Sequence, residues 1–234
     1  MNIVLISTAA SIGVIHTVLA IDHYIPFAVM SKANNWGLAK TIRIVFVCGA
    51  GHVLATVLLG LVGIYLGTQL SFFIRIEEFR GEIAKWLLIA FGAVYMLIGV
   101  RSAIKNAPHK HLLSGSCDIC HDHHETHEHS HSAAHTDKNG IPHSFWPLFV
   151  VMILGPCEFL IPLLLYPAAV YGAFSVAVIA LVFSVCTIAS MIICTVIALK
   201  GINMIPTKRL ERYSHALTGL TILICGVLVH FLDI

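Results

Sequence analysis

The sequence predicts an all-α membrane protein with six transmembrane helices, arranged as two inverted three-helix repeats with kinked or broken first and fourth helices. Three observations predict this fold class: the composition, the spacing of the apolar segments, and the likeness between the two halves of the chain. Of the 234 residues, 58% are hydrophobic and 11% are charged, whereas soluble domains carry about 25% charged residues. The mean hydropathy of +0.88 therefore indicates an integral membrane protein.

The apolar segments are long enough to cross a bilayer, because a helix of about 20 apolar residues spans its hydrocarbon core. Six such segments follow one another along the chain, at residues 3–30, 44–70, 83–100, 145–170, 172–199 and 217–232. No Lys or Arg precedes the first segment, and no short apolar region ends in a small-residue cleavage site. We therefore predict that this segment is a span of the mature protein rather than a secretory signal.

Lysine and arginine set the predicted orientation, because both are enriched in the cytoplasmic loops of membrane proteins. With the amino terminus outside, the predicted outer loops contain only Arg75, Arg80 and Lys85. The predicted cytoplasmic loops contain the other eleven, which are Lys32, Lys40, Arg43, Arg101, Lys105, Lys110, Lys138, Lys200, Lys208, Arg209 and Arg212. We therefore predict a multi-pass protein of the cell (plasma) membrane with both termini outside. The net charge of +2 reflects this topology and predicts no nucleic-acid partner.

The two halves of the chain carry the same order of acid, proline, cysteine and polar side chain. The members are Asp22, Pro26, Cys48 and His52 in the first half, and Glu158, Pro162, Cys186 and Ser190 in the second. Each half contains three predicted spans, an odd number, so the second half enters the membrane from the opposite side. This is the pattern of an inverted repeat. We predict a first three-helix repeat at 1–103, a histidine-rich cytoplasmic loop at 104–144, and a second three-helix repeat at 145–234.

Asp22 and Glu158 are the two acidic residues that we predict well inside apolar segments. A carboxylate near the centre of a bilayer costs about 2.5–3.5 kcal/mol, so acids at that depth are functional by default. Each acid lies four residues before a proline, Pro26 or Pro162, and a proline inside a helix releases the carbonyl four residues earlier. The pattern predicts an ion path near the midplane, where the broken helices of the two repeats meet.

Histidines and a cysteine near these acids are candidate metal ligands. His16 and His23 are seven residues apart, so in a regular helix they share a face but lie about 10 Å apart along the axis. Only unwinding between them would bring both to one ion. The predicted metal site consists of His16, Asp22, His23, His52, Cys157 and Glu158. The structural alternatives are neutral histidines that hydrogen-bond within the bundle and a thiol that packs as a small apolar group.

The segment at 104–144 holds ten of the fifteen histidines and is typical of a metal-binding loop that is disordered without its ligand. Imidazole binds nickel, cobalt, zinc and copper, and its affinity falls below about pH 6 because protons compete for the rings. A C-x-x-C-H haem-attachment pattern is present, but the predicted cytoplasmic location disfavours haem. The predicted loop ligands are Cys117, Cys120, His121, His123, His124, His127, His129 and His131.

The pattern of His16, the pair Asp22-His23 and the pair Gly51-His52 resembles the nickel/cobalt transporter family (NiCoT) and its NicO-type relatives. Those proteins carry a histidine followed by an Asp-His pair in an early span and a Gly-His pair in the next, and many have a histidine-rich loop between their halves. The family usually places four residues between the histidine and the Asp-His pair, and this chain has five. The resemblance implies metal-ligand roles for His16, Asp22, His23 and His52.

These observations predict a transporter of a divalent transition metal ion rather than an enzyme. We favour Ni²⁺ or Co²⁺ as the transported ion and keep Zn²⁺ and Fe²⁺ open, because imidazole and thiolate select such ions over Mg²⁺ and Ca²⁺, which prefer all-oxygen sites. The predicted partners are the metal ion and the lipid bilayer, and a homo-oligomer is left open.

The alternative hypothesis is a membrane thiol–disulfide electron carrier. The pair Pro156-Cys157 is distantly similar to the proline-cysteine pair of the DsbD/CcdA group. That chemistry needs two cysteines that can meet, and Cys48 is the nearest candidate in the first half. A metal sensor without flux is a third hypothesis.

Overall fold

The computed structural model describes residues 3–66, 70–105, 145–155, 157, 160–204 and 213–232. All regular secondary structure in these ranges is helical, which confirms the predicted all-α class. The α-helices are α1 (Ile3–Leu19), α2 (Ile25–Ala33), α3 (Leu38–Leu66), α4 (Leu70–Lys105), α5 (Phe145–Leu154), α6 (Leu160–Val170), α7 (Ala173–Met204) and α8 (Ser214–Leu232). The histidine-rich loop lies outside the described residues.

Four helices in the described ranges are long and apolar enough to cross a membrane. They are Leu38–Val62, Ile74–Lys105, Ala173–Met204 and Ser214–Phe231. The pair Ile3–Leu19 and Ile21–Ala33 passes the same test together and adds a fifth candidate, bent by 85° at its break. The chain is accordingly a helical, multi-pass membrane protein, while the arrangement of six spans as two inverted repeats stays a prediction.

The first span is broken, as predicted, but the break begins before Asp22 rather than just past His23. Helix α1 ends at Leu19, a single 3₁₀ turn covers Ile21–His23, and α2 begins at Ile25. Pro26 is the second residue of α2, where its missing N–H would have had no helical partner. The prediction that Pro26 releases the Asp22 carbonyl from an intact helix is therefore wrong, because the helix has already ended at Leu19.

The predicted fourth span is interrupted in a similar way. Helix α5 ends at Leu154 and α6 begins at Leu160, with Gly155 and Cys157 described between them. Glu158 lies outside the described residues. Pro162 is the third residue of α6, so both prolines of the predicted repeat stand in the first turn of the helix that follows a break.

The loop that the sequence predicts between the second and third spans is helical, so that prediction is wrong. Helix α4 begins at Leu70 and is 36 residues long, and it contains Arg75, Arg80 and Lys85 from the predicted outer loop. Glu and Arg are good helix formers, and the charged residues of this segment pair along the helix, Arg80 with Glu77 and Lys85 with Glu82 at spacing i, i+3. Charge alone therefore does not end the helix.

Glycines let α4 and α8 cross closely. A Cβ atom at Gly92 or Gly99 would overlap the backbone of α8, and one at Gly219 would overlap the backbone of Met96 in α4. Such small residues are typical of tight helix contacts in membranes. Helix α1 packs on α7, and α3 packs on α5, α6 and α7.

The buried side chains form two core clusters. The first contains residues of α2 and α5, such as Phe27 and Met152, together with residues of α3, α4, α7 and α8. The second contains residues of α1 and α6, such as Ala9 and Leu164, together with Phe183 of α7. Each broken span contributes one half to each cluster, so the two breaks lie at the junction between the clusters.

Candidate metal centre

Three histidines meet at the break in the first span. The centroid of the His23 ring lies 5.1 Å from the centroid of the His16 ring and 5.0 Å from that of the His52 ring. One ring nitrogen of each of the three lies within 4.8 Å of the others. His23 and His52 are buried, and His16 is partly buried. The 85° bend brings His16 and His23 together, although a regular helix would hold them about 10 Å apart.

Asp22 fixes which nitrogen of His23 faces the cluster. Its Oδ1 lies 3.0 Å from Nδ1 of His23, and an ionised carboxylate only accepts hydrogen bonds, so Nδ1 carries the proton. The Nε2 atom of the neutral ring then presents a lone pair. This atom is buried and has no hydrogen-bond partner among the described residues. A carboxylate behind a histidine is the usual outer partner of a metal-binding imidazole.

His52 has the same arrangement with a backbone partner. Its Nδ1 donates to the carbonyl oxygen of Met152 at 2.7 Å, because a carbonyl can only accept. Its Nε2 is therefore the lone-pair nitrogen, and it too is buried without a hydrogen-bond partner in the described part of the chain. Gly155 lies beside this ring: a Cβ there would stand 3.6 Å from Cε1 of His52, an ordinary van der Waals distance.

His16 faces the second half of the chain. Its Nε2 lies 3.9 Å from Sγ of Cys157, which is buried. Its ring also stacks at 6.1 Å on Phe183 of α7. Of the predicted ligands in the second half, Cys157 thus lies beside His16 in the described part of the chain.

A cavity of about 340 Å³ opens onto the cluster. Its lining includes the three histidines, Asp22 and Lys85, with apolar residues such as Leu88. The ammonium group of Lys85 donates to Oε1 of Glu82 at 3.3 Å. The break itself lines this cavity at Ala20, Asp22 and His23. Within a membrane, non-helical backbone is tolerated where it is buried in protein or lines a water-filled cavity.

Of the six predicted site residues, His16, His23 and His52 form the cluster, and Cys157 lies beside it. The fifth, Asp22, contacts Nδ1 of His23 and is not among the residues whose ligand atoms meet in the cluster. The sixth, Glu158, lies outside the described residues, as do the eight predicted loop ligands. Cys48 packs in the first core cluster and Cys157 in the second.

Sequence reasoning missed a buried ion pair next to the site. Glu77 of α4 is 1% exposed and accepts a hydrogen bond from Arg80. A buried acid therefore also occurs outside the predicted apolar segments. It was missed because Glu77 stands in a charged run from Arg75 to Lys85, which resembles a loop. The i, i+3 spacing of Glu77 and Arg80 was the one signal of a paired helix face.

Comparison with known proteins adds no relative: no family model, no curated protein and no solved structure matches this chain.

Proposed function

We propose that the protein is a transmembrane transporter of a divalent transition metal ion, and that the ion passes a site formed by His16, His23 and His52. The main support for this proposal is a pair of buried atoms, Nε2 of His23 and Nε2 of His52, that have no hydrogen-bond partner in the described residues. A buried polar atom left unpaired costs about 1–3 kcal/mol. Two of them aimed into one cluster are costly in a purely structural network, and a bound cation would satisfy both.

The ligand chemistry favours late transition metals. Three neutral imidazoles suit zinc, copper, nickel and cobalt, whereas Mg²⁺ and Ca²⁺ prefer oxygen ligands. Ni²⁺ or Co²⁺ is the preferred ion because of the resemblance of His16, Asp22, His23 and His52 to the nickel/cobalt transporters, and Zn²⁺ and Fe²⁺ are the next candidates. Three protein ligands leave coordination positions open for water, which suits an ion that must also leave.

The contact of His16 with Cys157, which joins the two breaks, supports a transport path. We infer that α1 with α2 and α5 with α6 each form one span, which gives six spans in two inverted repeats. In support, α1 shares a core cluster with α6, and α2 shares one with α5, which is the exchange that a two-fold axis between the repeats requires. Rocking of one repeat against the other would expose the site alternately to each side.

The orientation with both termini outside belongs to the same proposal. In that orientation the histidine-rich loop at 104–144 is cytoplasmic, where it would bind ions that enter or are about to leave.

The thiol–disulfide carrier is the second candidate, and the contact of Cys157 with His16 favours it, since an adjacent imidazole promotes thiolate formation. Its predicted partner Cys48 packs in the other core cluster, which is why we rank it below transport. A Cys157→Ser variant separates the two functions, because thiol exchange would end, whereas metal flux, with its three histidines in place, would continue at a changed apparent affinity.

Metal uptake into proteoliposomes tests the proposed function. Ni²⁺, Co²⁺, Zn²⁺ and Fe²⁺ are offered to vesicles that contain wild-type protein, His52→Ala or the matched control His215→Ala, which changes an exposed histidine of α8. We expect uptake of at least one ion by the wild type and the control, and background uptake by His52→Ala. Equal uptake by His52→Ala and the control would contradict the proposed path, and no uptake by the wild type would contradict transport itself.

A further inference from the structure

The buried pair of Glu77 and Arg80 touches the broken fourth span on both sides of its break. Arg80 donates through Nη1 to Oε1 of Glu77 and through Nη2 to the carbonyl oxygen of Ile153 at 2.7 Å. The second carboxylate oxygen of Glu77, Oε2, accepts the backbone N–H of Cys157 at 3.2 Å. One ion pair of α4 therefore holds the last turn of α5 and the residue that leads into α6.

The signs of the two charges match the two helix ends. A helix leaves carbonyl groups unpaired at its carboxyl end and N–H groups unpaired at its amino end, and its dipole favours a cation at the former and an anion at the latter. Arg80 lies at the carboxyl end of α5, and Glu77 lies at the amino end of α6, where the Cys157 carbonyl accepts the N–H of Leu160 at 3.0 Å. The pair thus supplies partners that an unbroken helix would have supplied itself.

The same backbone holds two groups of the metal centre. Met152, directly before Ile153, is the residue whose carbonyl accepts the Nδ1 proton of His52 at 2.7 Å. Cys157 is the residue whose Sγ lies 3.9 Å from Nε2 of His16. A shift of the break would therefore change both the direction of the His52 ring and the position of the thiol.

We propose that Glu77 and Arg80 are positioning residues of the metal centre, which hold the two ends of the break so that His52 and Cys157 face His16 and His23. The inference rests on the proposed function for its metal readout. It assigns a role to an ion pair that acts through the backbone at Ile153 and Cys157.

The test compares single variants with a charge swap. Glu77→Gln and Arg80→Gln each remove one charge, and the double variant Glu77→Arg with Arg80→Glu keeps an ion pair but sets both charges against the helix ends. The matched controls are Arg75→Gln and Glu78→Gln, which change exposed residues of the same helix. Two quantities are measured: the Co²⁺ concentration for half-maximal uptake into proteoliposomes, and the rate at which a maleimide labels Cys157 in membranes, quantified by mass spectrometry of its peptide.

We expect both single variants and the swap to raise the half-maximal Co²⁺ concentration by about 10- to 100-fold, the usual effect of losing an outer partner of a metal ligand. We also expect faster labelling of Cys157, which is 1% exposed in the wild type. The two controls should match the wild type in both measurements. Where Arg80→Gln yields no folded protein, Arg80→Lys replaces it, and we expect an intermediate Co²⁺ value because one amine cannot form both contacts of the guanidinium group.

Wild-type behaviour of the swap would overturn the inference, since it would mean that an ion pair of either direction suffices. The inference would also be overturned if the single variants, or Arg80→Lys where it replaces Arg80→Gln, matched the controls in both measurements. Labelling of Cys157 needs no metal. A wild type that takes up none of Ni²⁺, Co²⁺, Zn²⁺ and Fe²⁺ would contradict the proposed function, while the labelling rates would still decide whether Glu77 and Arg80 hold the break.

Discussion

At the scale of single residues, Asp22 stands behind His23, a proposed metal ligand. Its carboxylate contacts Nδ1 of His23 and directs the lone pair of Nε2 toward His16 and His52. The acid also lines the cavity, where its negative charge would offset part of the charge of a divalent ion. Its proposed roles are therefore to fix a tautomer and to stabilise the ion at a distance.

Asp22→Asn tests both roles. The amide removes the charge, and its NH₂ group can donate to Nδ1 of His23, which would move the ring proton to Nε2 and abolish the lone pair there. We expect metal affinity to fall by about 10- to 100-fold and flux to reach background at limiting ion concentrations. The measurement is the concentration dependence of uptake into proteoliposomes.

Glu78→Gln serves as the control for Asp22→Asn, because it removes an acid that is exposed on α4. The same loss of flux in both variants would show that total charge matters and that the contact with His23 does not. Intact transport by Asp22→Asn would contradict the role of this acid.

The sequence predicted the identity of the clustered residues better than their roles. His16, His23, His52 and Cys157 were predicted from residue type and spacing, because histidine at membrane depth is rare and has a use. Which ring nitrogen faces the cluster depends on the Met152 carbonyl, 100 residues away along the chain from His52. No local pattern encodes such a contact.

At the scale of helices, the close crossing of α4 and α8 depends on glycines, which have no side chain to keep the two backbones apart. Gly219 lies against the backbone of Met96, so a methyl group there would force the two helices apart. Gly201 in α7 has nothing within 4 Å of the corresponding position. The two glycines therefore form a matched pair with opposite expected effects.

Gly219→Ala is expected to destabilise the protein by about 1–3 kcal/mol, the usual cost of inserting atoms into a packed contact. Gly201→Ala is expected to be neutral or to stabilise by about 0.5–1 kcal/mol, because alanine is the better helix former. Thermal denaturation in detergent measures the stability of both variants, with the fraction of protein that stays monodisperse as the readout. A Gly219→Ala protein as stable as Gly201→Ala would contradict the close crossing.

The two prolines predicted that helices are broken near them, but the exact positions of the breaks were not predicted. Pro26 and Pro162 each lie in the first turn of the new helix, so they begin α2 and α6 instead of bending a continuous helix. The charges around Arg80 favoured a loop over a helix in the sequence analysis. Glu77 pairs with Arg80 locally at i, i+3, but the carbonyl of Ile153 that accepts the second hydrogen bond of Arg80 is 73 residues away.

At the scale of the whole molecule, each broken span contributes to both core clusters, and the histidines lie where the clusters meet. This arrangement suits a protein whose two halves move against each other, because neither cluster contains a whole broken span. The proposed six-span repeat makes the loop at 104–144 the connection between the halves and not a part of the path.

Deletion of residues 109–143 tests that placement. We expect the apparent affinity for the transported ion to change while flux persists, because the site histidines are left in place. A second variant of full length, with the loop histidines replaced by serine, separates metal binding from loop length. Background uptake in the serine variant would place the loop histidines on the path and contradict the account.

The central claim is that the ring nitrogens of His16, His23 and His52 bind the transported ion. The test is anomalous diffraction at the cobalt absorption edge, from crystals of the full chain grown with Co²⁺. The position of each anomalous peak distinguishes an ion among the three rings from an ion bound to the loop. The account predicts a peak among the three rings, with metal–nitrogen distances of about 2.0–2.2 Å. Cobalt peaks elsewhere in the protein, with none among these three rings, would contradict it.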